Sequence, residues 1–101
     1  MARVLSTTEF DTWERLLPKD LQKEVEEFIK DLKKGSKTGQ PLGYSFFKEK
    51  RIDGKRIYFL EYDDSDTVLL VTISDKKTQQ DTIDRIKKDL DRYGDLIRKN
   101  L

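Results

Sequence analysis

Residues 67–73 constrain the fold more than any other part of this sequence. They read Thr-Val-Leu-Leu-Val-Thr-Ile, with apolar side chains at both odd and even positions. Because successive side chains of a β-strand point to opposite faces of the sheet, this strand would be apolar on both faces. The pattern therefore predicts a strand at the centre of a sheet.

Length and composition exclude several classes of protein. The chain has 101 residues and a net charge of +1, with 41% charged and 35% hydrophobic residues. We expect one domain, residues 1–101. Without cysteine or histidine, it has no disulfides, no thiolate nucleophile and neither of the usual zinc ligands. No apolar run approaches the ~20 residues of a membrane span, which predicts a cytoplasmic domain with no membrane partner.

The first 35 residues predict a short strand followed by two helices. Residues 2–5 form the strand, and Pro18 separates the helices because the residue before proline avoids helical dihedral angles. Gly35 is a typical helix stop. The two helices are expected to form an antiparallel hairpin. Their apolar faces are Phe10, Trp13, Leu16 and Leu17 in the first, and Leu21, Val25, Phe28, Ile29 and Leu32 in the second.

The remaining residues predict a β-meander and a final helix. A polar loop, 35–43, leads to a strand at 44–52. Asp53-Gly54 is a strong signal for a tight hairpin turn into the next strand, 56–62. A second turn precedes the central strand. The final helix carries the stripe Ile83, Ile86, Leu90, Tyr93 and Ile97. The fold class is therefore α+β, with a short N-terminal strand, an antiparallel helical hairpin, a three-stranded antiparallel meander and a C-terminal helix.

Basic residues concentrate in the predicted β-hairpin. Residues 42–58 contain five basic and two acidic side chains, whereas residues 59–75 contain five acidic and no basic ones. Strand alternation places Lys48 and Lys50 on one face. If the last two strands are antiparallel, Lys76 and Lys77 approach Arg56. Cations beside aromatic rings suit an RNA phosphate and stacked bases. The alternative is a solvated strand face with scattered lysines.

The acidic turn after the second hairpin strand could be interpreted as a site for a hard cation. It contains Glu61, Asp63, Asp64 and Asp66. Their spacing does not match a full calcium loop, and acidic residues are common in turns. We therefore predict no metal site and no cofactor.

The order of elements resembles the RelE/ParE superfamily of toxin–antitoxin systems. Each matching segment alone is weak evidence for the family. The resemblance rests on the order of these segments along nearly the whole chain. Leu17-Pro18-Lys19-Asp20-Leu21 is similar to the break between the family's two helices, and Gly39-Gln40-Pro41-Leu42-Gly43 to the loop before its first hairpin strand. Gly54-Lys55-Arg56-Ile57-Tyr58-Phe59 resembles a strand that begins with an arginine. The segment from Ser74 to Asp81 resembles the Asp-Lys…Gln segment of a toxin subgroup.

The resemblance implies a type II toxin that cuts messenger RNA in the ribosomal decoding site. Such toxins use neither metal nor cofactor, and a 2′-hydroxyl attacks the adjacent phosphate. By position, Arg56 and Lys77 would stabilise the phosphorane from a solvent-facing surface. Lys48 and Lys50 match the hairpin-strand lysines, and a lysine surrounded by cations can act as a base. The implied partners are a co-encoded antitoxin, the ribosome and messenger RNA.

Two departures from the family pattern leave alternatives open. Ile83 occupies about the position where some members carry a catalytic tyrosine, and the chain has no histidine. Tyr93 lies about three turns further on, facing the predicted core. The acid–base pair is therefore incomplete, and the resemblance also allows an inhibitor of DNA gyrase, as in the ParE branch, or a relative that only binds an antitoxin.

Overall fold

A computed structural model describes residues 2–100 of the chain. Its elements confirm the predicted α+β fold, with one strand more and the last helix divided. In chain order they are β1 (Arg3–Ser6), α1 (Thr8–Leu16), α2 (Lys19–Lys33), β2 (Gln40–Tyr44), β3 (Phe47–Ile52), β4 (Lys55–Tyr62), a 3-10 turn (Asp63–Ser65), β5 (Thr67–Asp75), α3 (Gln79–Lys88) and α4 (Leu90–Lys99).

The five strands form a single mixed sheet in the order β1-β5-β4-β3-β2. β1 runs parallel to β5, and every other neighbouring pair is antiparallel. β5 is therefore hydrogen-bonded on both sides, and residues 67–73 are all buried. The prediction of a central strand is confirmed. The apolar run is buried because helices cover both faces of the sheet.

Helices cover the two faces of the sheet in pairs, which separates two hydrophobic clusters. α1 and α2 cover what we call the α1/α2 face, where Phe10, Val25 and Phe28 pack against Ile57, Phe59 and Leu70. α3 and α4 cover the α3/α4 face, where Ile83, Ile86 and Ile97 pack against Tyr58, Leu60 and Leu69. The side chains of β4 alternate between these clusters, as strand geometry requires.

The segment predicted as a polar loop contributes the edge strand β2. Pro41 lacks a backbone N–H, so a strand that contains it is tolerated at the edge of a sheet. The ladder to β3 shifts register between Pro41 and Tyr44. Tyr44, predicted to begin the next strand, is instead the last residue of β2. Glycines and a proline hid this strand, because both residue types are depleted in strand interiors.

The C-terminal helix is divided at Asp89, although its apolar stripe continues without interruption. The bend returns α4 to the sheet, so that Ile86 of α3 and Ile97 of α4 join the same cluster. Among residues 2–100, none of the helices is both long and apolar enough to span a bilayer.

Ile86→Ala is expected to destabilise the protein by about 3 kcal/mol, because removing buried methylene groups leaves a cavity. Ile86 is fully buried against the α3/α4 face. The free energy of unfolding from urea denaturation measures the loss. Leu96→Ala is the matched control, because Leu96 is one of the exposed large apolar residues. Equal losses in the two variants would contradict this packing.

Candidate functional site

The turn between β3 and β4 brings two arginines directly opposite each other. Asp53 and Gly54 both adopt positive φ angles, 47° and 82°, as a two-residue hairpin turn requires. This turn pairs Arg51 with Arg56 across the two strands. Directly paired residues share a sheet face, and like charges in such a pair destabilise the sheet. An anion bound between the two guanidinium groups would remove that repulsion.

Arg56 is buried and poorly compensated. It is 7% exposed, and its Nε atom has no hydrogen-bond partner. Its Nη1 atom donates one long bond, 3.4 Å, to the Gly54 carbonyl oxygen. Within residues 2–100, no carboxylate forms an ion pair with it. A buried polar group without a partner is rare and costly. This guanidinium is therefore a candidate anion-binding group.

Glu49 is a buried carboxylate on the same face as Arg51. It is 2% exposed. Its Oε1 atom accepts a hydrogen bond of 3.0 Å from Arg51 Nε, and its Oε2 atom accepts one of 2.9 Å from Gln79 Nε2. Gln79 is the first residue of α3, so this helix fixes the carboxylate in place. The site thus holds an oriented proton acceptor beside the two arginines.

Tyr58 is the cross-strand partner of Glu49 and supplies a hydroxyl group. Its Oη lies 2.8 Å from Ser74 Oγ. Ser74 Oγ donates to the Asp75 carbonyl oxygen at 3.0 Å, so Tyr58 is the donor in the shared bond. Burial raises the pKa of Tyr58, which keeps the hydroxyl protonated at neutral pH. We call Glu49, Arg51, Arg56 and Tyr58 the arginine cluster.

Lys77 lies in the loop at the same end of the sheet as the arginine cluster. β4 and β5 are antiparallel, with Arg56 opposite Ser74 and Lys55 opposite Asp75. Lys76 and Lys77 follow directly, so the expected approach of this loop to the Arg56 strand is confirmed. Lys77 is exposed, which places it at the rim.

Lys48 and Lys50 lie on the opposite side of the sheet, contrary to the expectation that they converge with Arg56. Lys48 Nζ forms an ion pair of 2.8 Å with Glu61. Lys50 Nζ lies 5.9 Å from the centroid of the Phe28 ring on α2. Both contacts are on the α1/α2 face. Residues of even number in β3 point to that face, whereas Arg51 and its partner Arg56 point to the other.

The arginine cluster includes residues that the sequence pattern does not predict as site residues. Glu49 and Tyr58 carry no such prediction, and Arg51 is predicted only as one of several cations in the hairpin. The two-residue Asp53-Gly54 turn was the available signal, since it fixes which residues are opposite each other. Ile83 is 7% exposed and belongs to the apolar cluster on the α3/α4 face. Tyr93 packs partly buried against the same cluster, as its helical spacing predicts.

Two carboxylates of the acidic turn form ion pairs with lysines. Lys37 Nζ lies 3.1 Å from Asp63 Oδ1, and Glu61 is paired with Lys48 on the α1/α2 face. Among residues 2–100, no three carboxylates are grouped so as to hold a metal ion.

An ion pair between α1 and α3 makes a testable contribution to stability. Arg85 donates two hydrogen bonds, of 2.7 and 3.0 Å, to the Glu9 carboxylate, which lowers the pKa of Glu9 below its ordinary value of 4.5. A lowered pKa stabilises the fold above pH 4.5, and this contribution is lost as the pH falls through the folded-state value. Both side chains are partly exposed, which limits the contribution to less than about 1 kcal/mol.

Glu9→Gln is therefore expected to lower the urea midpoint slightly at pH 7 and by a smaller amount at pH 3. Urea denaturation of both proteins at the two pH values is the measurement. An equal difference at both pH values would show that the carboxylate charge contributes nothing.

Comparisons with solved structures place this architecture among the RelE toxins. The isolated E. coli RelE toxin superposes with a TM-score of 0.63 at 11% identity, over 85% of this chain and 99% of that one. A chain of the RelB–RelE antitoxin–toxin complex from Methanococcus jannaschii gives 0.65 at 15% identity, over 77% and 96%. A chain of the toxin–antitoxin complex RelBE2 from Mycobacterium tuberculosis gives 0.63 at 23% identity, over 74% and 91%.

The fold of this chain is therefore that of the RelE toxins. The resemblance to the RelE/ParE superfamily is confirmed at the level of the fold. By sequence, no family model and no curated protein matches the chain. Function has to be argued from the residues, because one fold serves many activities.

Proposed function

We propose that this protein is the toxin of a type II toxin–antitoxin pair and cuts messenger RNA on the ribosome. The observation that carries the proposal is the Arg51–Arg56 pair, which places two cations on one face at the end of the sheet. RNA is a polyanion, and guanidinium groups bind phosphate oxygens in a bidentate manner. The RelE toxin fold supports the same conclusion by analogy.

The arginine cluster contains a base and two cations for an attack by a 2′-hydroxyl. Glu49 would take the proton of the 2′-hydroxyl, whose oxygen then bonds to the adjacent phosphorus. Arg51 and Arg56 would stabilise the charge on the phosphorane. As the bond from phosphorus to the 5′-oxygen breaks, that oxygen would take its proton from solvent, because Tyr58 is fully buried and its hydroxyl donates to Ser74. The products would be a 2′,3′-cyclic phosphate and a 5′-hydroxyl end.

The resemblance implies site roles for three lysines, and we propose a role in RNA binding for Lys77 alone. We propose that Lys77, at the rim, attracts the RNA backbone and contributes to phosphate binding. Lys48 and Lys50 lie on the α1/α2 face, separated from Arg56 by the sheet. We therefore assign them no part in this step and propose Glu49 as the base.

We expect the protein to form a complex with a small antitoxin encoded beside it. Solved complexes of RelE with RelB have this fold in the toxin chain. Exposed apolar residues on α1, Trp13 and Leu16, are 48% and 70% exposed, and such surface suits an amphipathic partner segment. Affinity purification from the native host is expected to yield both proteins. Recovery of the bare monomer at every salt concentration would contradict the expectation.

Induced expression in bacterial cells tests the function against its alternatives. We expect growth arrest with new messenger RNA ends inside translated regions, detected by primer extension, and with normal plasmid supercoiling. Growth arrest with intact messages and loss of supercoiling would instead identify a gyrase inhibitor. An absence of growth arrest in cells that contain the soluble protein would identify a relative that only binds an antitoxin. Both results would overturn the proposed function.

A further inference from the structure

A cavity lies beside the arginine cluster, between α1 and α3. Its volume is about 240 Å³. β1 pairs with β5 only as far as Leu70, so the last residues of β5 are paired with β4 alone. Their open side forms the floor of the cavity. The indole of Trp13, 48% exposed, forms one wall. Thr78 and Thr82 at the start of α3 form another. We call this cavity the Trp13 pocket.

Ser74 connects the Trp13 pocket to the arginine cluster. It lines the pocket, and its hydroxyl accepts the hydrogen bond of Tyr58. It is also the cross-strand partner of Arg56. Adjacent strands are about 4.8 Å apart, so the pocket begins one strand away from the candidate phosphate site. In a nucleic acid, each base is joined to its phosphate through a single sugar. A phosphate at Arg56 would thus bring a base within reach of the pocket.

The cations of Lys55 and Arg85 line the pocket as donors, whereas the two threonines of its wall offer hydrogen-bond acceptors. The Thr82 hydroxyl donates to the Thr78 carbonyl oxygen at 2.8 Å. The Thr78 hydroxyl donates to Asp75 Oδ1 at 3.2 Å. Each hydroxyl has only one proton to donate, so both oxygens keep lone pairs for a donor in the cavity. A base with an exocyclic amino group provides such a donor, and its flat ring suits stacking on an indole.

We propose that the Trp13 pocket binds the nucleobase next to the phosphate held by Arg56 and favours a base with an exocyclic amino group. The base stacks on Trp13, and its amino group donates to the Thr82 hydroxyl oxygen. This inference deepens the proposed function and rests on it. It adds a base-recognition site on residues of α1 and α3 that the cleavage step does not use.

Trp13 is the chain's single tryptophan, so its fluorescence reports directly on the pocket. Short single-stranded RNAs, labelled at one end, are titrated into the protein. Label anisotropy measures RNA binding, and tryptophan fluorescence measures occupancy of the pocket. Three RNAs differ at one internal position: adenosine, purine riboside, which lacks the amino group, and an abasic residue. We expect quenching of Trp13 by the first two and none by the abasic RNA.

Adenosine RNA is expected to bind about fivefold more tightly than purine riboside RNA, as the loss of one hydrogen bond predicts. Thr82→Val should remove that difference. Thr12→Val is the control and should preserve it, because Thr12 is exposed on α1 and its hydroxyl donates to the Thr8 carbonyl oxygen. RNA binding without quenching of Trp13 would contradict base binding in the Trp13 pocket. Equal affinities of the wild type for the adenosine and purine riboside RNAs would do the same. Neither result would contradict the proposed function. Absence of RNA binding would also contradict base binding in the Trp13 pocket. The proposed function would then be tested separately by the cleavage assay on ribosomes.

Discussion

Arg56→Met is expected to lower messenger RNA cleavage at least tenfold, which corresponds to about 1.4 kcal/mol of transition-state stabilisation. The substitution keeps much of the side-chain volume and removes the charge that would contact the phosphate. The fold should be at least as stable as before. Arg56 is buried with an unpartnered Nε, and replacing an uncompensated buried charge with an apolar group is often neutral or stabilising.

A loss of cleavage without a loss of stability distinguishes an arginine that binds RNA from one that only supports the fold. Cleavage rates on programmed ribosomes and urea midpoints are measured for the same protein samples. Arg3→Met is the matched control, because Arg3 is exposed at the far end of the sheet, opposite Thr67. A variant at Arg56 with unchanged cleavage, or one that loses activity only by unfolding, would remove Arg56 from the site.

Glu49→Gln is expected to have the largest effect on cleavage, a loss of about 10²- to 10⁴-fold, which is typical for removal of a general base. A glutamine keeps the shape and still offers an oxygen to Gln79, so the position of α3 should be preserved. The measurement is the cleavage rate on programmed ribosomes at neutral pH.

Glu27→Gln serves as the control for this substitution. Glu27 is exposed on α2 and forms a surface ion pair with Lys30, which contributes little. Its cleavage rate should match that of the wild type. A Glu49→Gln protein that cleaves at the wild-type rate would show that another group takes the 2′-hydroxyl proton.

The sequence predicted most of the fold because its strongest signals agree with its tertiary structure. Residues 67–73 are apolar on both faces, and the Asp53-Gly54 turn has the positive φ angles that this pair favours. β2 was missed because Pro41 and its neighbouring glycines do not favour a strand, and the sheet edge overrides that preference. The division at Asp89 was missed because helical periodicity continues through a bend and carries no information about its direction.

The candidate site was only partly predictable, because it depends on which face each hairpin residue takes. Arg56 and Lys77 were correctly placed at one end of the sheet. Lys48 and Lys50 were grouped with Arg56 by charge and by resemblance, but strand pairing puts Arg51 opposite Arg56. The burial of Arg56 could not be read from its strand position alone, because it depends on the helices packed over the α3/α4 face.

The central claim is that the arginine cluster binds the phosphate of an RNA whose own 2′-hydroxyl attacks it. The most direct test uses purified protein, programmed ribosomes and a messenger RNA with a single 2′-deoxynucleotide at the mapped cleavage position. We expect the unmodified message to give 2′,3′-cyclic phosphate and 5′-hydroxyl ends, and the deoxy message to resist cleavage at that position. Cleavage of the deoxy message, or 5′-phosphate ends, would contradict the account.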